Sequence, residues 1–394
     1  MMRSCVFTLL TTVSFLLGFP QAFAAEAESA AEVDSGVQIR QRLEKVRNGN
    51  DGLQTYQATQ RSRLEVMVKS GDLSSKLTIQ DVRAWGSESS TLKDFSADAI
   101  DFHEAWFEFG QDIKLRLGRQ EVALDGQRLI GSVNWTQQGR SFDALRLFTK
   151  GSLNFSLTAS RVADGGLHDL LIAHFAPSFD GIDLGIPLIV QTNSFAPSSE
   201  IGDREQDWLR ATGGLYARSR GEVPWRVEGY VQAGEDTLAY MVGARVGYEF
   251  SSLLKPALWL DLLSGDPDHS DSKVQAFDTL FATNHKFYGF ADHFLAVPNH
   301  TNNGGLIDLA VKNTGKIGPG KLHTALHYFA LAQENSLGQK GPLGAELDII
   351  YTVRLMDQVK LQVGTTAFFA LGDTSEEPGD NISDWTYVQL DFKI

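Results

Sequence analysis

The feature that most restricts the fold is a strict alternation of charged and apolar residues. In VQIRQRLEKV, residues 37–46, Arg40 and Arg42 alternate with Ile39 and Leu43. Successive side chains of a β-strand point to opposite faces, whereas a helix would bring residues three or four apart together and mix these arginines with the leucines. The alternation therefore predicts strands that have one charged face and one apolar face.

The same alternation recurs in about 18 segments of roughly 9–13 residues each. The connections between these segments are short and long in turn. Residues 69–72 and 356–358 are short connections, whereas residues 122–139 and 265–304 are long ones. Short turns at one end and long loops at the other are typical of bacterial outer-membrane barrels. The sequence therefore predicts an all-β fold, a single transmembrane antiparallel β-barrel of about 18 strands over residues 37–394, with short periplasmic turns and long extracellular loops.

The cost of placing charge in lipid decides which face points outward. An arginine on the lipid side costs about 2–4 kcal/mol near the middle of the bilayer, and several of them would exceed the net stability of a domain, about 5–15 kcal/mol. We therefore predict that the apolar parity faces lipid and the charged parity faces a water-filled lumen. A second interpretation stays open, in which the arginines are only neutralised by acids. The predicted pore-lining residues are Arg40, Arg42, Arg61, Arg63, Glu65, Arg83, Arg116, Arg146, Arg226 and Glu228.

The N-terminal residues 1–24 have the features of a secretory signal peptide. Arg3 precedes an apolar run, Val6–Phe19, and Ala22–Ala24 fits the small-residue pattern of a cleavage site. We expect this segment to direct export to the outer membrane of a Gram-negative cell. Residues 25–36 would then form a periplasmic extension ahead of the barrel.

The charge and the cysteine content of the processed chain exclude two other classes. Cleavage would remove the only cysteine, Cys5, and would change the formal charge from −14 to −15. A cysteine-free chain cannot be a small domain held by disulfides, and an acidic chain is a poor partner for nucleic acid. The expected partners are outer-membrane lipid and lipopolysaccharide.

Two long motifs resemble the alginate export family of outer-membrane barrels. They are RLGRQEVALDGQRLIGSVNWTQQGRSFDALRL (Arg116–Leu147) and SGDPDHSDSKVQAFDTLFATNHKFYGFADHF (Ser264–Phe294). The shorter stretches RSRLE (61–65) and QDVRAWG (80–86) are similar to that family as well. The resemblance implies an 18-stranded barrel whose lumen is lined by arginines, lysines and acids and passes an anionic polysaccharide or similar solutes.

Two of the long loops contain candidate functional residues. A long loop with ordered polar residues is usually functional, so we predict that residues 122–139 fold into the lumen and narrow it, although a plain surface loop is the alternative. The candidate constricting residues are Arg128, Asn134, Trp135, Gln137 and Arg140. The candidates in the second motif are Asp278, Asn284, His285 and Lys286.

The sequence contains no G-x-S-x-G, H-E-x-x-H, P-loop or C-x-x-C motif, so we assign no catalytic residue and expect no cofactor. Asp266, Asp268 and Asp271 could hold Ca²⁺, but the segment lacks the glycine and the closing glutamate of an EF-hand loop and can equally be a solvated acidic loop.

The function predicted from these observations is a passive outer-membrane channel. Its cargo would be an anionic polysaccharide or oligosaccharide, alginate-like in character, or another small anion. An export role would add periplasmic partners. Two alternatives stay open at this point: a hydrolase embedded in a barrel, and a secreted soluble β-protein that binds polysaccharide.

Overall fold

The computed structural model describes residues 31–47, 52–87, 100–151, 153–163, 167–192, 209–268, 270–372 and 382–394. The signal peptide predicted for residues 1–24 lies outside these ranges. The first strand begins at Glu32, five residues before the predicted start of the barrel, so only the earlier part of the predicted extension precedes the strand. Among the described residues, no helix combines the length and the apolar character needed to cross a membrane.

The described residues form strands almost throughout, with one four-residue helix and one short 3-10 turn in the longest loop. The strands are β1 (Glu32–Arg47), β2 (Gln54–Ser70), β3 (Leu73–Ala84), β4 (Ile100–Phe109), β5 (Ile113–Gln120), β6 (Phe142–Thr149), β7 (Leu153–Ala163), β8 (Leu167–Phe179), β9 (Ile182–Thr192), β10 (Leu209–Ser219), β11 (Trp225–Gly234), β12 (Leu238–Gly247), β13 (Pro256–Leu263), β14 (Leu306–Ile317), β15 (Gly320–Ala330), β16 (Pro342–Met356), β17 (Val359–Ala370) and β18 (Ile382–Lys393). The 3-10 turn is Asn284–Lys286, and helix α1 is Val297–His300.

The sheet closes on itself. Each of the 18 strands pairs with its neighbours in the chain, and β1 also pairs antiparallel with β18. In this closing register Arg42 lies opposite Gln389, and Gln38 lies opposite Lys393. The predicted antiparallel barrel of about 18 strands is confirmed. Closure is what a membrane requires, because an unpaired backbone group in hydrocarbon costs several kcal/mol.

The two ends of the barrel differ, as the sequence predicts. At one end the connections are turns, from two residues (318–319) to eight (248–255). The other end has the long connections, among them residues 121–141 and 264–305. We call these the short-turn end and the long-loop end. Gly71 and Gly318 have φ of 55° at the short-turn end, a backbone conformation that glycine adopts without strain.

The two faces of the wall are sharply different. Leu43, on the outer face of β1, is 56% exposed, while its neighbour Arg42 faces the interior and is 5% exposed. The same contrast holds on β18, where Leu390 is 41% exposed and Gln389 is 2% exposed. The outer wall is thus apolar around the barrel. Such a surface is stable in hydrocarbon and not in water, which argues against the secreted soluble alternative.

Candidate functional site

Two loops from the long-loop end occupy the interior of the barrel. Loop A is the segment 121–141 between β5 and β6, and loop B is the segment 264–305 between β13 and β14. They hydrogen-bond to each other, since the Gly131 amide donates to the Phe281 carbonyl at 2.8 Å. Ile130 and Phe287 have no exposed surface and belong to an apolar core that both loops share with the barrel wall. The lumen is therefore partly filled by a folded plug rather than open.

Loop A rests on arginines that project from β1 and β2. Four arginine side chains each donate a hydrogen bond to a backbone carbonyl oxygen within loop residues 134–138. Arg40 Nη1 bonds the Asn134 carbonyl at 2.8 Å, Arg42 Nη2 the Trp135 carbonyl at 2.6 Å, Arg61 Nη1 the Gln137 carbonyl at 3.3 Å and Arg63 Nη2 the Gln138 carbonyl at 3.1 Å.

The charge of this arginine cluster is only partly neutralised. Arg40 forms an ion pair with Asp391 at 2.7 Å, and Arg42 lies 3.7 Å from Glu44. The hydrogen bonds of Arg61 and Arg63 in the described part of the chain go to amide and carbonyl oxygens. The interior next to β1 and β2 therefore has excess positive charge, held on side chains that are largely buried.

Like charges meet directly across the inner face at several places. Arg40 stands opposite Arg61, Arg116 opposite Arg146, and Arg226 opposite both Arg245 and Arg218 in the strand register. The acids Asp261 and Asp308 also stand opposite each other. Like charges directly opposite each other on a sheet destabilise it, so the arginine pairs keep positive potential on the inward parity at a cost in stability.

The remaining arginines that were predicted to line the pore contact either a carboxylate or an aromatic ring. Glu108 binds Arg116 at 2.5 Å, and the Arg116 guanidinium also lies 3.8 Å from the centre of the Trp106 ring. Glu228 binds Arg226 at 3.3 Å. Arg146 lies over Phe148, and Glu65 shares the inward parity of β2 with Arg61 and Arg63.

Arg83 is the exception among the predicted pore-lining residues. Its register partner is Gln60, and both alternate with inward residues, so the Arg83 side chain is on the outer parity of β3. It is bound there to Asp81 at 2.8 Å, close to the long-loop end of the strand. This parity argues against an Arg83 side chain in the lumen, but the residue borders the cavity beside Trp135 and Trp385, so a place for it in the pore lining stays a prediction. Near the end of a strand a charged pair on the outer face can lie in the lipid headgroup region. A charged residue is therefore not by itself evidence for the inner face.

The five predicted residues of loop A have distinct contacts. Arg128 binds Glu228 and Asp261, and Asn134 donates to Glu121. Burial alone would raise the pKa of the Glu121 carboxyl, but the hydrogen bonds from His103 and Asn134 bring it below its ordinary value. The others contact different parts of the lumen: Trp135 lies against Arg42 and His285, Gln137 donates to Thr59, and Arg140 donates to the Ala282 carbonyl. That these residues narrow the lumen stays a prediction.

The predicted residues of loop B are spread over its length. Asp278 forms an ion pair with Arg210 at 2.6 Å. Asn284 donates a hydrogen bond to the Thr279 hydroxyl within the same loop. His285 binds Asp292 at 2.6 Å, yet burial lowers the pKa of its imidazole. Burial, followed by the positive charges of Arg226 and Arg128, lowers the pKa of the Lys286 ammonium to about 8.

Cavities remain on both sides of the plug, among them one lined by Asp125, His174 and Tyr216 and the two vestibules that follow. The outer vestibule, at the long-loop end, has Arg42, Gln57, Trp135 and Trp385 in its wall. The inner vestibule, at the short-turn end, is lined by Arg245, Lys255, Lys286, Lys312 and Trp259. The acids Glu44 and Asp292 also line the outer vestibule, and Glu222 and Glu249 the inner one. The cations and aromatic rings of both cavities are a combination suited to a carboxylate on a sugar ring.

Sequence reasoning missed a buried acidic cluster on β13 to β16. Asp308 accepts a hydrogen bond from His327 at 2.8 Å, and Asp348 lies 3.9 Å from the same imidazole. Glu346, with no exposed surface, accepts from the Ala291 amide of loop B. The signal is present in GAELDII, where Glu346 and Asp348 alternate with Leu347 and Ile349.

No metal centre is evident. Among the residues that the structure describes, no group of three or more His, Cys, Asp or Glu side chains is arranged to hold a metal ion. In the acidic stretch of loop B, the Asp268 and Asp271 carboxylates accept hydrogen bonds from the backbone amides of Ser270 and Lys273. Asp266 is largely buried.

A closed antiparallel barrel with inward loops, an apolar outer wall and a charged interior is the fold of outer-membrane porins. Solved structures of this fold cover 92% of the chain at low sequence identity. OccK11 of Pseudomonas aeruginosa is 12% identical, with a TM-score of 0.59 over 96% of its own chain. OccAB2 of Acinetobacter baumannii is 8% identical, with a TM-score of 0.61 over 98%. OccK2 of Pseudomonas aeruginosa, solved in complex with glucuronate, is 11% identical, with a TM-score of 0.58 over 98%.

The family model described as alginate export matches residues 31–163. The resemblance to that family is therefore confirmed over this part of the chain, which includes β1 to β7 and loop A. No curated protein matches the chain. Family and fold together point to an outer-membrane transport channel rather than to an enzyme.

Proposed function

We propose that this protein is an outer-membrane channel that passes carboxylated sugars, as single uronates or short oligomers, through an arginine-lined lumen. The observation that carries the proposal is the set of inward arginines placed directly opposite one another, as at Arg40 and Arg61 or at Arg116 and Arg146. An arginine guanidinium binds a carboxylate in a bidentate geometry, and partial burial strengthens that attraction.

Two further points support this class of cargo. Alginate is a polymer of uronates, and OccK2, which shares the fold, is described in complex with glucuronate. Loops A and B occupy much of the lumen, which favours a single sugar or a short chain that threads past them over a bulky polymer. Small organic anions with one carboxylate fit the same chemistry.

The direct test is ion selectivity in a planar bilayer. We expect the purified protein to conduct with a preference for anions in a salt gradient, because the inward arginines raise the local anion concentration. Replacing Arg245, which borders the inner end of the lumen, with Gln should lower the anion-to-cation permeability ratio severalfold. The matched control is Arg161→Gln, which removes the same charge from the outer parity of β7 and should leave selectivity unchanged. Cation selectivity of the unaltered protein would overturn the proposal.

The anion preference should also fall as the pH rises through 8. The pKa of Lys286 is lowered to about 8, so its positive charge is present at pH 7 and mostly lost at pH 9. Reversal potentials measured at the two pH values should therefore differ, with the weaker anion preference at pH 9. Lys286→Met should give the weaker preference at both pH values. An equal pH effect in that variant would assign the titration to another group.

A further inference from the structure

We infer that Phe290 is the gating side chain of the channel, the residue that separates the outer vestibule from the inner one and must move for a solute to pass. The inference rests on the proposed function. It concerns loop B, whereas the sequence assigned the narrowing role to loop A.

The position of Phe290 is the first observation. Its side chain contributes to the wall of the outer vestibule, beside Trp135 and Trp385. It also contributes to the wall of the inner vestibule, beside Lys286 and His323. A residue that borders both cavities stands on the partition between them, so a solute that moves directly from one to the other passes it.

The packing of Phe290 differs from that of the other aromatic residues of loop B. Phe281, Phe287 and Phe294 are buried and belong to the apolar core of the plug. Phe290 is only partly buried and lies outside that core. Its ring meets His285 edge-on at 4.5 Å and His323 edge-on at 5.4 Å, one from loop B and one from the opposite wall. The ring therefore spans the gap between plug and wall without being locked in a close-packed core.

The backbone on both sides of Phe290 is fixed. The Ala291 amide donates to Glu346 Oε1 at 2.8 Å. Gly289 has a φ of 85°, and a Cβ there would lie 2.4 Å from the same carboxylate, so only glycine fits. A fixed backbone with a partly free ring allows the side chain to rotate while the loop stays in place. Rotation of an aromatic side chain is fast compared with loop displacement, which suits passive conduction.

The surroundings of Phe290 fit the proposed cargo. Arg42 faces the outer vestibule, and Lys286 and Lys312 face the inner one, so a carboxylate finds a cation before and after the partition. Between these cations the Phe290 ring offers an apolar surface to the CH face of a sugar. We therefore expect Phe290 to set the size limit of the solute, and the neighbouring cations Arg42, Lys286 and Lys312 to set the charge preference.

The test uses single-channel recording of the full chain. Phe290→Ala should raise conductance at least twofold and admit larger neutral sugars, whereas Phe290→Trp should lower conductance. Gln57→Ala, which removes volume from the outer vestibule alone, is the matched control and should leave conductance near that of the unaltered protein. Phe290→Leu replaces the alanine variant if the latter folds poorly. Equal conductance of the unaltered, alanine and tryptophan proteins would overturn the gate while the channel stands. Absence of conductance in every protein would overturn both.

A second readout does not depend on the size of the current. Cys5 is the only cysteine of the sequence, so in a Cys5→Ser background Phe290→Cys introduces a single thiol. A charged methanethiosulfonate reagent should block this variant when added to either side of the bilayer. Gln57→Cys should react faster from the long-loop side, and Lys255→Cys faster from the short-turn side, because the reagent reaches the distant vestibule only after it passes the gate. Similar rates from both sides are expected for Phe290→Cys, and a rate as one-sided as that of either control would show that Phe290 does not stand on the partition.

Discussion

Arg128→Met should release loop A from the wall and destabilise the folded protein by about 3–5 kcal/mol, because it removes the cation bound to the buried Asp261 and leaves Glu228 with Arg226 alone. Arg128 is 1% exposed, and its guanidinium binds Asp261 at 2.9 Å and Glu228 at 3.1 Å. It also lies 3.6 Å from the centre of the Phe287 ring of loop B. The two acids raise the pKa of Arg128 well above its ordinary value although burial opposes them.

The measurement for Arg128→Met has two parts. Urea unfolding in lipid vesicles gives the loss of stability, and limited proteolysis of folded barrels shows whether loop A has become accessible. Arg128→Lys keeps the charge but not the forked geometry of the guanidinium. Its stability should therefore lie between that of the unaltered protein and that of Arg128→Met. Arg140→Met is the control on the same loop, since the Arg140 guanidinium is only partly buried and donates to the Ala282 carbonyl. A loss below 1 kcal/mol for Arg128→Met, with loop A still protected, would contradict the assigned role.

The barrel itself could be predicted because its signal is local. A strand that separates lipid from water must alternate residue by residue, and VQIRQRLEKV or WTYVQLDFKI shows this without any knowledge of the partner strand. These same two segments lie in β1 and β18, the strands that pair to close the barrel. Arg83 shows where the rule fails. Asp81 and Arg83 alternate with Val82 and Ala84, but near the rim the apolar pair points inward.

The site could be predicted only in part because its contacts are distant in sequence. The length and the polar residues of loop A indicated that it folds inward, yet its anchors are 100 residues away at Glu228 and 133 residues away at Asp261. The arginines of β1 and β2 were identified, but their hydrogen bonds to loop carbonyls were not. The position of Phe290 between the two vestibules could not be predicted, because loop B contains several aromatic residues. Nothing in FYGFADHF distinguishes a ring on the partition from one in the core.

Val363→Arg should reduce the stability of the folded barrel by about 2–4 kcal/mol if the residue lies near the middle of the bilayer. Val363 is 39% exposed on the outer face of β17, in one register row with Val388 of β18 and Leu43 of β1. An arginine there would either place its charge in hydrocarbon or distort the row to reach the headgroups.

The control for Val363→Arg is the neighbouring residue on the inner face. Gln362 lies opposite Gln389, and its side chain donates to Thr352 Oγ1 at 3.0 Å within the lumen. Gln362→Arg introduces the same charge into a region that already contains Lys360 and Asp391, which are 3.1 Å apart, so the change in stability should stay within about 1 kcal/mol. Unfolding free energies of the two variants in lipid vesicles compare the faces directly, because the substitutions differ by one residue. If both variants lose the same stability, or if Gln362→Arg loses more, the apolar parity does not face lipid. The proposal of a transport pathway inside the barrel would then be wrong as well.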